Sequence, residues 1–263
     1  MAKTNKYVAV TGMGAVCGLG HNLKDIWNKL IEGVSGISKI ESVEVGDLPV
    51  QIAGEVKNFQ LSEEALPFKE HSRYDKFIHF ALQAACEAWN NCGLVKDSVY
   101  SQEKMGCILG VGIGGFNFIE SNYFTLQNKG PRRVPPFFIP GLIPNMASGA
   151  ISIRWGLKGV SYTLSSACAS AGHAISAACD EIMSGRHTVM ISGGAESTIS
   201  RLPLVGFSNM KALSRSNATP QEASRPFDME RNGFVMGEGA GVMILEDGQM
   251  AEERGATIYA EIK

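Results

Sequence analysis

The stretch Gly159-Val160-Ser161-Tyr162-Thr163-Leu164-Ser165-Ser166-Ala167-Cys168-Ala169-Ser170-Ala171-Gly172-His173-Ala174 decides the fold. Its first six residues are β-prone, and the run from Ala169 to Ser184 is helix-prone. Cys168 therefore stands where a strand turns into the first turn of a helix. Free backbone N–H groups and the positive end of the helix dipole favour a thiolate there. The small neighbours Ala167, Ala169 and Ser170 leave the sulfur open to a substrate carbonyl. On position alone, a buried small hydrophobe is the competing reading of Cys168.

Outward from this turn, strands and helices alternate. Tyr7–Thr11 reads as a strand ending in a glycine turn, Gly12-Met13-Gly14. Asn22 caps a helix through Leu30, with Leu23, Ile26, Trp27 and Leu30 on one face. A loop-rich stretch, Gly33 to Leu66, precedes a long helix from Arg73 to Asn91 that ends at Gly93. Met105–Val111 is a strand followed by the turn Gly112-Ile113-Gly114-Gly115. Helices are expected over Phe116–Gln127 and Pro144–Trp155, with a proline-rich segment between them. Further strands are His187–Ser192, ending in Gly193-Gly194-Ala195-Glu196, then Gly239–Glu246 and Thr257–Ile262. Ser208 to Glu222 reads as a polar surface loop. This order predicts an α/β fold with a largely parallel, doubly wound sheet, its ligand edge at the strand C-termini. The three glycine turns and the Cys168 turn would gather at that edge.

With 24 basic and 26 acidic side chains, the net charge is near zero, so no strong pull on nucleic acid or membrane is implied. No run is apolar and long enough to span a bilayer, and the N-terminus lacks the apolar run of a signal peptide. Six cysteines without a CxxC pair argue for free thiols and a reducing cytoplasm. Cys17, Cys86, Cys92, Cys107 and Cys179 read as packing residues, and no His/Cys spacing suggests zinc.

Weaker patterns compete with the cysteine. Gly12, Gly14 and Gly18 after a first strand suggest a dinucleotide turn, but no acidic partner follows a second strand. Tyr259 and Lys263 share the spacing of a dehydrogenase pair but lie in a strand-like segment. His173 follows Cys168 by five residues, about 500° around a helix. It reads as a packed helix histidine rather than a base. Arg225, Asp228, Arg231 and Glu238 read as a structured loop near the site, and Glu196 as a buried, paired carboxylate.

Three segments carry a resemblance. They are Gly130-Pro131-Arg132-Arg133-Val134-Pro135-Pro136-Phe137-Phe138-Ile139-Pro140, Ser166-Ala167-Cys168, and the pair Ala223-Ser224-Arg225-Pro226-Phe227-Asp228 with Arg231-Asn232-Gly233-Phe234-Val235-Met236-Gly237-Glu238-Gly239-Ala240-Gly241. In this order they resemble the β-ketoacyl-ACP synthases, and look most like their type II elongating branch. The resemblance implies a thiolase-like fold, with residues 1–263 as the N-terminal domain and the C-terminal half absent from this chain. It implies decarboxylative Claisen condensation: Cys168 takes an acyl chain as a thioester, and malonyl-ACP supplies the attacking carbanion. It places Ile113 and Phe207 along the acyl pocket, with Phe137 and Phe138 approaching from a dimer interface. It places Lys69, Arg73, Arg132 and Lys211 at the pocket mouth, where acyl carrier protein docks, although Ser72 thins that basic cluster. Two histidines, a lysine and a gating phenylalanine would come from the C-terminal half, so this chain by itself is expected to be inactive. The edge strand Gly159 to Ser165 would pair two copies into a homodimer. No metal, nucleotide or redox cofactor is implied. A non-catalytic chain-length-factor-like subunit is the first alternative, which Cys168 argues against. A dinucleotide-binding oxidoreductase is the second.

Overall fold

The computed structural model describes residues 6–94 and 100–263; the N-terminal reading of residues 1–5 lies outside them. In chain order the elements are β1 (Val8–Cys17), α1 (Leu23–Ile31), β2 (Ser38–Lys39), β3 (Ile52–Ala53), α2 (Lys76–Cys92), β4 (Met105–Gly110), α3 (Phe116–Lys129), α4 (Phe138–Leu142), α5 (Met146–Trp155), β5 (Ser161–Leu164), α6 (Ser170–Met183), β6 (Val189–Glu196), α7 (Arg201–Asn209), β7 (Gly239–Asp247), α8 (Gly248–Glu253) and β8 (Ala260–Ile262).

Six strands form one sheet in the order β5-β4-β6-β7-β1-β8. β4 pairs in parallel with both β5 and β6, whereas β7 runs against β6 and β1, and β8 runs against β1. Four strands, β1, β4, β5 and β6, thus share one direction. The sheet is flanked by helices, as the alternation of elements predicts. Strand periodicity sorts the core into two layers. Cys107, Leu109, Ile191 and Ile244 pack with α2 and α5 on one face. Ile108, Met190 and Leu245 pack with Ala174, Ala178 and Ile182 of α6 on the other. A third cluster joins β3 to α7 through Ile52, Ile199, Leu204 and Met236.

α2 is buried around most of its circumference, including Phe77, Phe80, Ala84, Ala88 and Trp89. Asp75 caps its start and Gly93 closes its end in the left-handed conformation. Asn22 caps α1 as expected, its Oδ1 accepting from Asp25 N at 2.9 Å, although Trp27 and Leu30 of that helix are exposed.

Two of the three expected glycine turns are strand instead. β1 does not stop at Thr11; it runs to Cys17, paired with β7 past a register shift between Val10 and Gly12. A Cβ at Gly12 or Gly14 would collide with the carbonyls of Ala88 or Ala84. These glycines let α2 lie against the strand, and the dinucleotide turn they suggested does not exist. β6 likewise continues through Gly193 and Gly194 to Glu196, because β7 pairs with it down to Gly239. The segment Ser208–Glu222 is also less superficial than expected, since Ser208, Leu213 and Ser214 are buried. Among the described residues, no helix is long and apolar enough to cross a membrane.

Candidate active site

The three parallel strands β5, β4 and β6 end together, so their following segments share one edge of the sheet. Those segments are the Cys168 elbow, the turn Gly112–Gly115, and Glu196-Ser197.

The elbow is tightly specified. Ala167 adopts φ +53°, the left-handed region that costs a non-glycine residue about 1 kcal/mol. Ser170, itself buried, holds this conformation. Its Oγ accepts from Ser166 N at 2.8 Å and donates to the Ala167 carbonyl at 2.6 Å. Cys168 is left exposed, just before the N-cap residue Ala169, which offers α6 no side-chain cap. The positive end of α6 therefore lies next to Cys168 in the chain, with no side-chain acceptor at the cap. The other cysteines are buried or half-buried. Burial pushes the thiols of Cys86 and Cys92 up to about 11, and those of Cys107 and Cys179 upward as well.

The turn after β4 is gripped from both neighbours. Ser165 Oγ donates to the Gly112 carbonyl at 3.0 Å. Glu196 Oε2 accepts from Ile113 N at 2.8 Å and its Oε1 from Gly114 N at 3.1 Å. Burial holds the Glu196 carboxyl above the usual range, against the opposing pull of those N–H groups. Next to it, Gly115 N donates to Leu142 O at 3.0 Å, which docks α4 on the turn. Neither α4, a single turn, nor the role of Asp75 was expected from the sequence. That residue is buried, caps α2, and accepts from Phe118 N at 2.7 Å, tying α2 to α3. Burial raises its carboxyl to about 6. Its position just before a helical apolar run is the N-cap signal that could have revealed it.

The expected pocket residues are only partly gathered. Ile113 is 43% exposed on the gripped turn. Phe137, 41% exposed, lies under the Arg73 guanidinium at 4.8 Å, and Phe138 stacks on Phe118. Phe207 packs with Phe234 and with the cluster that joins β3 to α7. Lys69, Arg132 and Lys211 are exposed, whereas Arg73 is engaged by Glu70 at 3.0 Å as well as by Phe137. A groove of about 1010 Å³ between α3 and α7, lined by Phe116, Ile119, Tyr123, Phe124, Leu202 and Val205, had no counterpart in the sequence reading.

Two readings need correction. His173 is not packed: it is exposed, with Nδ1 2.7 Å from Ser166 Oγ. Among the described residues, Arg225 and Arg231 donate to local carbonyls, of Glu222 and Asp228, and Phe227 beside them is 97% exposed. Glu238 is buried as expected, paired with Lys76 at 2.6 Å and accepting from Ser197 Oγ at 2.8 Å. Among the described residues, no cluster of His, Cys, Asp or Glu has the makings of a metal site.

Residues 5–251 match the family model described as beta-ketoacyl synthase, N-terminal domain. The chain is 41% identical over 255 residues to a 3-oxoacyl-[acyl-carrier-protein] synthase 2 of Coxiella burnetii, covering 97% of this chain and 61% of that protein. It is 43% identical over 257 residues to the protein of the same name from Synechocystis, covering 98% and 61%. The chain thus spans about three fifths of the length of these curated relatives. Among solved structures, a β-ketoacyl synthase from Burkholderia phymatum superposes with a TM-score of 0.86 at 31% identity, covering 98% of this chain and 63% of that one. A type II polyketide ketosynthase, solved in complex with its acyl-carrier protein, gives 0.83 at 29% identity, covering 97% and 62%.

Proposed function

This chain belongs to the β-ketoacyl synthase N-terminal-domain family, and from that premise we propose that residues 1–263 form the nucleophile-bearing domain of a 3-oxoacyl-[acyl-carrier-protein] synthase. The observation that carries the proposal is the exposed Cys168 on a left-handed elbow at the uncapped start of α6.

In this reading the Cys168 thiolate attacks the carbonyl carbon of an acyl thioester. The carrier thiol leaves and takes up a proton, and the acyl chain stays on sulfur. The Cys168 N–H, at the helix start, donates to the developing oxyanion. Malonyl-ACP then loses carbon dioxide, and the electrons of the broken C–C bond form the bond to the acyl carbon. The thiolate leaves, and the product is a 3-oxoacyl thioester two carbons longer. Four of the five histidines are committed elsewhere: His21, His71 and His79 to backbone carbonyls and His187 to Glu181. By the family resemblance, the two histidines and the lysine that handle protons in the decarboxylation step belong to the C-terminal half; the fifth histidine, His173, is exposed with Nδ1 2.7 Å from Ser166 Oγ.

The acyl chain lies along Ile113, Phe137, Phe138 and Phe207. Acyl carrier protein, which is acidic, docks on Lys69, Arg132 and Lys211, with Arg73 the weakest contributor because Glu70 already neutralises it. Two copies pair through β5, an edge strand that has β4 on one side only. Six free thiols support a cytoplasmic setting.

The test is to incubate the full-length protein with an acyl-ACP and map adducts by mass spectrometry. The acyl mass is expected on the Cys168 peptide and absent from Cys168→Ala. An adduct distributed over Cys17 and Cys179 as well, or none, overturns the reading.

A further inference from the structure

Close to the Cys168 elbow, Glu196 is a charged group with no part in the thioester chemistry. It sits at the end of β6, and its carboxylate points to the turn after β4, 83 residues earlier in the chain. Both oxygens are used there, one by Ile113 N at 2.8 Å and the other by Gly114 N at 3.1 Å. The fit is close: a Cβ at Gly112 would lie 2.8 Å from Oε2. Among the described residues the carboxylate takes no ion pair, and the groups that favour its charged form are backbone N–H groups. Burial makes that arrangement costly, and a glutamine in its place would turn an NH2 donor toward one of the two N–H groups. The same turn is held from the opposite side by Ser165, three residues before Cys168. Ile113 is thus a large exposed apolar side chain on a backbone fixed from two directions, beside the elbow.

We propose that Glu196 is a positioning residue for specificity: through the Ile113 and Gly114 N–H groups it fixes Ile113 as a wall beside Cys168, and so sets which acyl chains reach the sulfur. The inference rests on the acyl-pocket reading above and adds to it the group that orders the pocket wall. Without the carboxylate, two N–H groups lose their acceptors and the turn is free to relax. Ile113 then ceases to discriminate by chain length.

The experiment compares N-methylmaleimide with N-octylmaleimide on the full-length protein, reading the ratio of their rates at Cys168 by peptide mapping. Glu196→Gln is expected to change that ratio by about fivefold, the factor that one lost hydrogen bond corresponds to. Ile113→Ala is expected to change it too, and Glu196→Gln added to Ile113→Ala should change it no further. Hydrogen exchange should accelerate at Ile113 and Gly114 in Glu196→Gln while β4 and α6 keep their protection, which separates loosening of the turn from general unfolding. If Glu196→Gln fails to fold, Glu196→Asp, which keeps the charge but shortens the reach, should alter the ratio in the same sense. An unchanged ratio in the glutamate variant, beside an altered one in Ile113→Ala, overturns this inference alone. An unchanged ratio in Ile113→Ala overturns the acyl-pocket reading, and this inference with it.

Discussion

Ser170 Oγ stands 2.8 Å from the backbone nitrogen of Ser166, bridging the first residue of α6 to the residue two before Cys168. A single hydroxyl thereby holds both limbs of the elbow, since it also donates to the Ala167 carbonyl. Removing it takes away the partner of the Ser166 N–H and one of the two donors to the Ala167 carbonyl, on a residue already at φ +53°. Ser170→Ala is expected to lower stability by about 1 kcal/mol. It should also slow Cys168 alkylation by iodoacetamide as the sulfur loses its fixed orientation. Denaturant titration and peptide mapping check both. Unchanged values would show that the elbow is held by other contacts.

Gly14 has a different task. A methyl group there would be driven into the Ala84 carbonyl of α2. Gly14→Ala is expected to cost about 3 kcal/mol, at the upper end of overpacking penalties, because backbone faces backbone and no side chain can yield. Gly33→Ala, where no atom approaches a Cβ, would serve as the control for open space, its own φ of +71° adding only a local strain. Thermal melts of the two variants should differ clearly.

β5 presents Tyr162, 37% exposed, on an edge strand. Tyr162→Lys should keep the fold, since Glu181 and Asp180 lie near enough to influence the tyrosine hydroxyl. A lysine on an edge strand opposes strand pairing. Sedimentation velocity should show the wild-type protein as a dimer and the variant shifted toward monomer. A wild-type monomer at high concentration would refute pairing through β5.

Asp75 predicts a pH dependence whose sign follows from burial. Its carboxyl is raised from 3.8 to about 6, so the folded state favours the neutral form. The stability this contributes is fully present below the unfolded-state value and is lost as pH rises through about 6. Against Asp75→Asn, which cannot ionise, the wild-type protein should lose on the order of 2 kcal/mol between pH 4 and pH 7. Parallel stability curves for the two proteins over that range would show that Asp75 stays ionised in the fold.

What could be read from the chain alone was local. The β-prone run before Cys168 and the helix-prone run after it became β5 and α6, so the elbow, the family resemblance and the α/β class all followed from neighbouring residues. Asn22 and Gly93 marked helix ends because capping is settled within one turn. The tertiary structure decided what depends on distant partners. Gly12 and Gly14 look like a turn because glycine favours turns, yet they are strand because α2, some 70 residues on, needs the room. His173 looks packed in an apolar helix, yet its face of α6 is open. Glu196 reads as a buried, paired carboxylate, yet it is half-buried, and its oxygens meet the Ile113 and Gly114 N–H groups because β4 and β6 are parallel neighbours that end together. Short-range preferences specify where a strand, cap or turn can form, whereas the pairing of strands far apart in sequence determines which side chains share a site.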